Sequence, residues 1–121
     1  MEVAEERAKY IAQAVELAKG KGFKDFRSSL PDYENPQSFL EKQKDKEVLP
    51  DFTAKRSGKK HYFDIAMKTD SIQPLVTKWK LLNHLADVKN SKLILFAPRG
   101  HKAFAERLIK QYKINADILA L

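Results

Sequence analysis

The chain has 121 residues, 43% of them hydrophobic and 32% charged, which suits one ordinary domain with one core. It has no cysteine, and His61, His84 and His101 show no metal-ligand spacing, which excludes disulfides, thiol catalysis and cysteine-ligated zinc. The net charge of +7 suits either a polyanionic partner such as nucleic acid or a lysine-rich solvated surface.

The opening MEVAEERAKY has no apolar signal core. No apolar run approaches the roughly 20 residues of a membrane span. An intracellular, cytoplasmic, soluble protein is the expectation.

The first element is a helix over 2–19. Ala4, Ala8, Ile11, Val15 and Ala18 recur at steps of three and four and form one apolar stripe. Gly20 and Gly22 end it, and KGFKDFRS then reads as a short strand. Residues 28–47 read as an insertion or mobile loop. Pro31, Asp32, Asn35 and Pro36 are turn chemistry, and Asn35 is placed to cap a short helix running through Phe39 and Leu40. The charged run EKQKDKE reads as a solvated helix face or a loop.

Two strands are predicted over 48–56 and 60–68, joined by a Ser57-Gly58 turn. A helix follows over 71–89, with Ser71 as a cap, Pro74 in its first turn, and Leu75, Trp79, Leu82 and Leu85 or Ala86 as its apolar stripe. Trp79 on that stripe reads as core. KLILFAP, 92–98, is a continuous apolar run expected of a strand buried on both faces. A helix over 101–112 turns Phe104, Leu108 and Ile109 inward, and NADILAL, 115–121, is a last short strand. Antiparallel pairing in front and crossover helices behind give an α/β fold with a mixed sheet and helices on both faces.

LPD occurs twice. Asp32 of the first copy is followed by turn residues, whereas Asp51 of the second starts a strand. A two-residue Ser57-Gly58 loop pairs Arg56 with Lys59 and places Asp51 opposite Asp64. Residues directly opposite share a face. Period-two alternation adds Tyr62, Ala66, Lys68 and Asp70 to that face and turns His61, Phe63, Ile65 and Met67 to the other. Two facing carboxylates repel. A divalent metal between them would offset this, as would Lys68, and so would exposure at a solvated sheet edge.

Pro50-Asp51 on one strand and a lysine, Lys68, on its partner resemble the PD-(D/E)xK nuclease superfamily, the restriction-endonuclease-like fold. The order α-β-β-β-α-β-α-β matches as well, over 2–121 as a single nuclease-like domain. The layout looks most like the small Holliday junction resolvases, with a helix, a Gly-Phe strand, PD, a Gly turn and the lysine strand. One departure stands out: Ala66 occupies the position where the family carries an acid. The nearest acid on that face, Asp64, lies two residues earlier, about 6.6 Å along a strand.

The resemblance implies a Mg²⁺- or Mn²⁺-dependent endonuclease that hydrolyses DNA. Asp51 and Asp64 would hold the metal, and Lys68 would position water or stabilise developing charge. Family members often add a glutamate from the first helix. Glu5, which flanks the apolar stripe, is the preferred position, and a solvent-facing Glu5 in the first turn is the other reading. Lys55, Arg56, Lys59 and Lys60 at the hairpin tip, with Lys78 and Lys80 on the next helix, would contact phosphates. The resolvases act as homodimers, which makes a second copy an expected partner. Ala66 motivates the alternative, a catalytically degenerate nuclease fold that binds nucleic acid or a protein.

Overall fold

The computed structural model describes residues 2–28, 30, 33, 39–41 and 46–121. Helix α1, Glu2–Gly20, leads into strand β1, Lys24–Ser28. A small hairpin follows, β2 at Phe39–Glu41 and β3 at Lys46–Val48. Then come β4 (Phe52–Arg56), β5 (Lys59–Ile65), α2 (Ile72–Val88), β6 (Leu93–Ala97), α3 (Lys102–Gln111) and β7 (Ala116–Ala120). The main sheet has the order β1-β4-β5-β6-β7. The pairs β1–β4 and β4–β5 are antiparallel, while β5–β6 and β6–β7 are parallel.

The fold is therefore α/β, with a mixed five-stranded sheet flanked by three helices. The helices α2 and α3 are the crossovers of two successive parallel steps, and both pack on one face, with Tyr62, Ala66, Leu93 and Leu95. Helix α1 covers the other face through Ile11, Ala14, Val15 and Ala18. There Phe52, Phe63 and Phe96 stack, with ring centroids 4.4 Å apart for the first two and 6.1 Å for the last two. Every residue of β6 is buried, as its unbroken apolar run requires of a central parallel strand. No described helix is long and apolar enough to cross a membrane.

The hairpin that carries the acids has the expected register. Ser57 and Gly58 both have positive φ, 55° and 74°. A two-residue turn of that type matches the twist of the flanking strands. All pairs from Arg56–Lys59 to Phe52–Phe63 follow from it. Asp51 lies one residue before β4 rather than within it, but its N–H still donates to Phe63 O at 3.1 Å.

Three expectations are corrected. Phe39 and Leu40 lie in β2, paired with Val48 and Glu47, and not in a helix. The run EKQKDKE therefore begins and ends in strand, at Glu41 and at Lys46-Glu47. Asp32, Asn35 and Pro36 lie outside the described residues. The second correction is that β5 stops at Ile65, so strand alternation does not extend to Lys68 and Asp70. The Ala66 N–H still donates to Phe96 O at 2.9 Å, and the Lys68 N–H donates instead to His101 Nδ1 at 2.9 Å. Third, Ser71 precedes α2 without a side-chain capping bond, and its own N–H donates to Thr69 Oγ1 at 3.1 Å.

Candidate functional site

Asp51 and Asp64 meet where β4 and β5 run side by side. Asp64 is fully buried and Asp51 is 8% exposed. The Asp51 N–H donates to Asp64 Oδ1 at 3.3 Å, which ties the facing pair together. The Ile65 N–H donates to Asp51 Oδ2 at 2.7 Å.

Two cations neutralise the acids. From α1, Arg7 clasps Asp51 with both ends of its guanidinium, Nε to Oδ1 at 3.1 Å and Nη2 to Oδ2 at 2.6 Å. The same Nη2 lies 3.6 Å from Asp64 Oδ1. From α2, Lys78 Nζ sits 3.0 Å from Asp64 Oδ1. The Trp79 indole N–H donates to Asp64 Oδ2 at 2.9 Å. All four carboxylate oxygens are thus engaged by N–H donors, as buried carboxylates require.

The other sequence-derived residues are not brought to this pair. Lys68 is exposed and borders a surface groove with Asp70, Ile72 and Arg107. Glu5 is exposed on α1, and Arg7, two residues on, is the side chain that reaches the acids. Arg56 turns to the α1 face, 4.2 Å over the Phe23 ring, with Nη1 donating to Lys21 O at 3.3 Å. Lys59 is exposed at the turn, and Lys80 stands 5.6 Å over the Tyr112 ring. Lys55 and Lys60 share a cleft on the face that carries the acids. Trp79 is core, as expected, but its N–H also holds Asp64.

Sequence reasoning missed Arg7 and the ionic role of Lys78, although both leave a trace. Arg7 lies four residues before Ile11, on the apolar stripe of α1. Lys78 lies between Leu75 and Leu82 at steps of three and four. A charge on a buried stripe needs a buried partner.

The electrostatics split the pair. Burial and then the Asp64 charge push Asp51 up to about 7, against the pull of Arg7 and Lys78. Three N–H donors favour its charged form, but desolvation and the second carboxylate outweigh them. Burial also opposes the charge on Asp64, but Lys78, then Arg7, and the hydrogen bonds from Asp51 and Trp79 hold it below the usual carboxylate range. Burial opposes the Arg7 charge as well, and Asp64 and Asp51 more than compensate.

These shifts act in separate pH windows. The folded chain holds the Asp51 proton where the unfolded chain has lost it, so Asp51 contributes stability in full below the ordinary carboxylate value of 3.8. That contribution is lost as pH rises to about 7. Asp64 contributes above the ordinary value and loses its contribution as pH falls below it. Asp51→Asn is expected to remove a stability slope of up to about 1.4 kcal/mol per pH unit between about pH 4 and 7. Urea unfolding of both proteins across that range reads the slope, and an unchanged slope would show that Asp51 titrates as an ordinary acid.

As a metal site the pair is poorly suited. Mg²⁺ keeps several of its waters and is held by one or two accessible carboxylates. Asp64 is 0% exposed, and the acceptor atoms of both acids are already taken by Arg7, Lys78, Trp79 and backbone N–H groups. Among the described residues no three His, Cys, Asp or Glu side chains are grouped to hold a metal ion. No family model, curated protein or solved structure matches this chain.

Proposed function

We propose that this chain is a nuclease-like α/β domain of PD-(D/E)xK type whose acid pair has become an internal ion cluster, and that it binds nucleic acid without cutting it. The observation that carries the non-catalytic reading is the engagement of all four acid oxygens by protein donors, with Arg7 and Lys78 set against the two carboxyl groups. Ala66, buried where the family places its acid, supports the same reading. The nucleic-acid partner is supported by the net charge of +7.

A metal-dependent endonuclease is the second reading. It is favoured by Lys78, which stands beside the acid pair where the letters of the motif suggest Lys68. That reading requires Arg7, whose side chain is 29% exposed, to withdraw and leave Asp51 and Asp64 to Mg²⁺ or Mn²⁺.

Calorimetric titration with millimolar Mn²⁺, with and without DNA, separates the two. No saturable binding and no strand cleavage are expected of the wild type. Binding and cleavage that are both lost in Asp51→Asn would establish the endonuclease and reject the ion-cluster reading.

A further inference from the structure

Three lysines stand side by side across the main sheet. Lys24 of β1 is the direct partner of Lys55 on β4, and Lys55 is the direct partner of Lys60 on β5. Directly opposed residues share a face, and like charges placed there repel. With strands about 4.8 Å apart, the three lysines cross about 10 Å of sheet. Among the described residues none of them has an acidic group within ion-pair distance.

A bulge in β1 brings a fourth cation to the same face. The register shifts between Lys24 and Arg27, and Asp25 takes a left-handed conformation with φ 55°. In a regular strand, residues three apart point to opposite faces. The extra residue cancels that alternation, so Arg27 stands opposite Thr53 on the face of Lys24 and Lys55. The outcome is a cleft of about 640 Å³ bordered by Arg27, Lys55 and Lys60, with Thr53 in its floor and Asp25 at its edge. Burial, and then the charges of Lys89, Arg27 and Lys55, press the Lys60 ammonium below its ordinary value. The three lysines therefore add positive charge to one another rather than finding acids among the described residues.

We propose that this cleft binds the phosphodiester backbone of a single nucleic-acid strand, with Lys55 and Lys60 lining it and Lys24 next to Lys55 on the same face as a ladder of phosphate contacts. The inference rests on the nucleic-acid reading above and adds the surface and the strandedness. Phosphates supply the negative charge that the ladder lacks, and such contacts hold the backbone without reading sequence. The size of the cleft selects the form. Cavities of ~300–1,000 Å³ enclose a small molecule, here a few nucleotides of one strand. A duplex, wider than the ~10 Å of sheet that the lysines cross, would touch only the rim.

The test is fluorescence anisotropy with a short labelled oligo(dT) and with a duplex of equal length, over a series of salt concentrations. The wild type is compared with Lys55→Gln/Lys60→Gln and with Lys102→Gln/Lys110→Gln, a control of equal charge on α3. Because like-charge neighbours are removed, the cleft variant is expected to melt no lower than the wild type. We expect the wild type to prefer the single strand. We expect the slope of log K against log salt to become shallower by about 1.4 in the cleft variant, two contacts at ~0.7 each, and to stay unchanged in the control. Strand binding with full affinity and slope in the cleft variant would overturn the cleft assignment and leave the nucleic-acid reading standing. Preference for the duplex would overturn the strandedness. Absence of binding to either probe would overturn the nucleic-acid reading itself.

Discussion

Lys78→Met is expected to lower the unfolding free energy by about 3 kcal/mol at neutral pH, near the lower end of the ~3–5 kcal/mol seen when one partner of a buried ion pair is removed. The variant keeps the methylene stem of Lys78 on α2 but takes away the ammonium 3.0 Å from Asp64. Asp64 is fully buried and cannot turn to water, so its charge is left with the more distant Arg7 at 3.6 Å, the Asp51 N–H at 3.3 Å and the Trp79 N–H at 2.9 Å. Those remaining partners place the loss at the lower end. Asp64→Leu is expected to cost less. The Lys78 side chain is 24% exposed and can extend its ammonium into solvent once the acid is gone. What remains unsatisfied is then the indole N–H, at about 1–3 kcal/mol. The double variant Lys78→Met/Asp64→Leu should be more stable than Lys78→Met alone, because no buried charge is left without its partner. Urea unfolding followed by the fluorescence of Trp79, the only tryptophan, gives all four corners of this cycle. Additive losses would show that Lys78 and Asp64 do not act as a pair.

The acid pair was legible in the sequence because a two-residue turn fixes a register and leaves no freedom further along the hairpin. Ser57-Gly58 sets Arg56 against Lys59, and every later pair is then determined, up to the contact of Asp51 with Asp64. The partners of that pair were not legible in the same way. Arg7 and Lys78 come from helices on opposite faces of the sheet, and the depth at which each helix docks is a tertiary result. Their places on apolar stripes announced that they would be drawn inward, but not which acid each would meet.

The alternation of β5 misled at its end. Ala66 still bonds to Phe96 O and Met67 still packs on the α1 face, but β5 ends at Ile65 and by Lys68 the chain has turned toward His101. No local letter marks that exit. The β1 bulge, by contrast, left a readable sign. Phe23 and Phe26 are three residues apart, yet both join one aromatic core, Phe23 against Phe63 at 5.1 Å and Phe26 against Phe52 at 6.1 Å. A regular strand would send them to opposite faces. The same irregularity brings Arg27 into the cleft, so aromatic spacing in KGFKDFRS carries information about a charged surface.

Ala66→Glu is expected to cost more than about 4 kcal/mol at neutral pH, with no gain of nuclease activity. By letters alone it restores the acid-x-Lys pattern, with an acid two residues before Lys68. The surroundings of the position do not admit that acid. Ala66 is 0% exposed, its N–H donates to Phe96 O at 2.9 Å, and it lies in the cluster formed by Val76, Trp79, Leu82 and Leu95. A glutamate there would overfill the packing against α2, at about 1–3 kcal/mol, and would also bring a charge into an apolar layer. Burial would raise the new carboxyl above its ordinary range, so the folded form would hold a proton that the unfolded chain releases. The electrostatic part of the loss would therefore fade as pH falls through the raised folded range and be gone by about pH 4, where the unfolded glutamate is protonated as well, while the packing part would stay. Urea unfolding of the variant at acid and neutral pH separates the two parts. A folded Ala66→Glu protein at neutral pH, with metal-dependent cleavage absent from the wild type, would mean that α2 can move away from the sheet and open a metal site at Ala66. The Lys78–Asp64 contact opposes that motion, because α2 cannot lift from the sheet without leaving a buried carboxylate without its lysine.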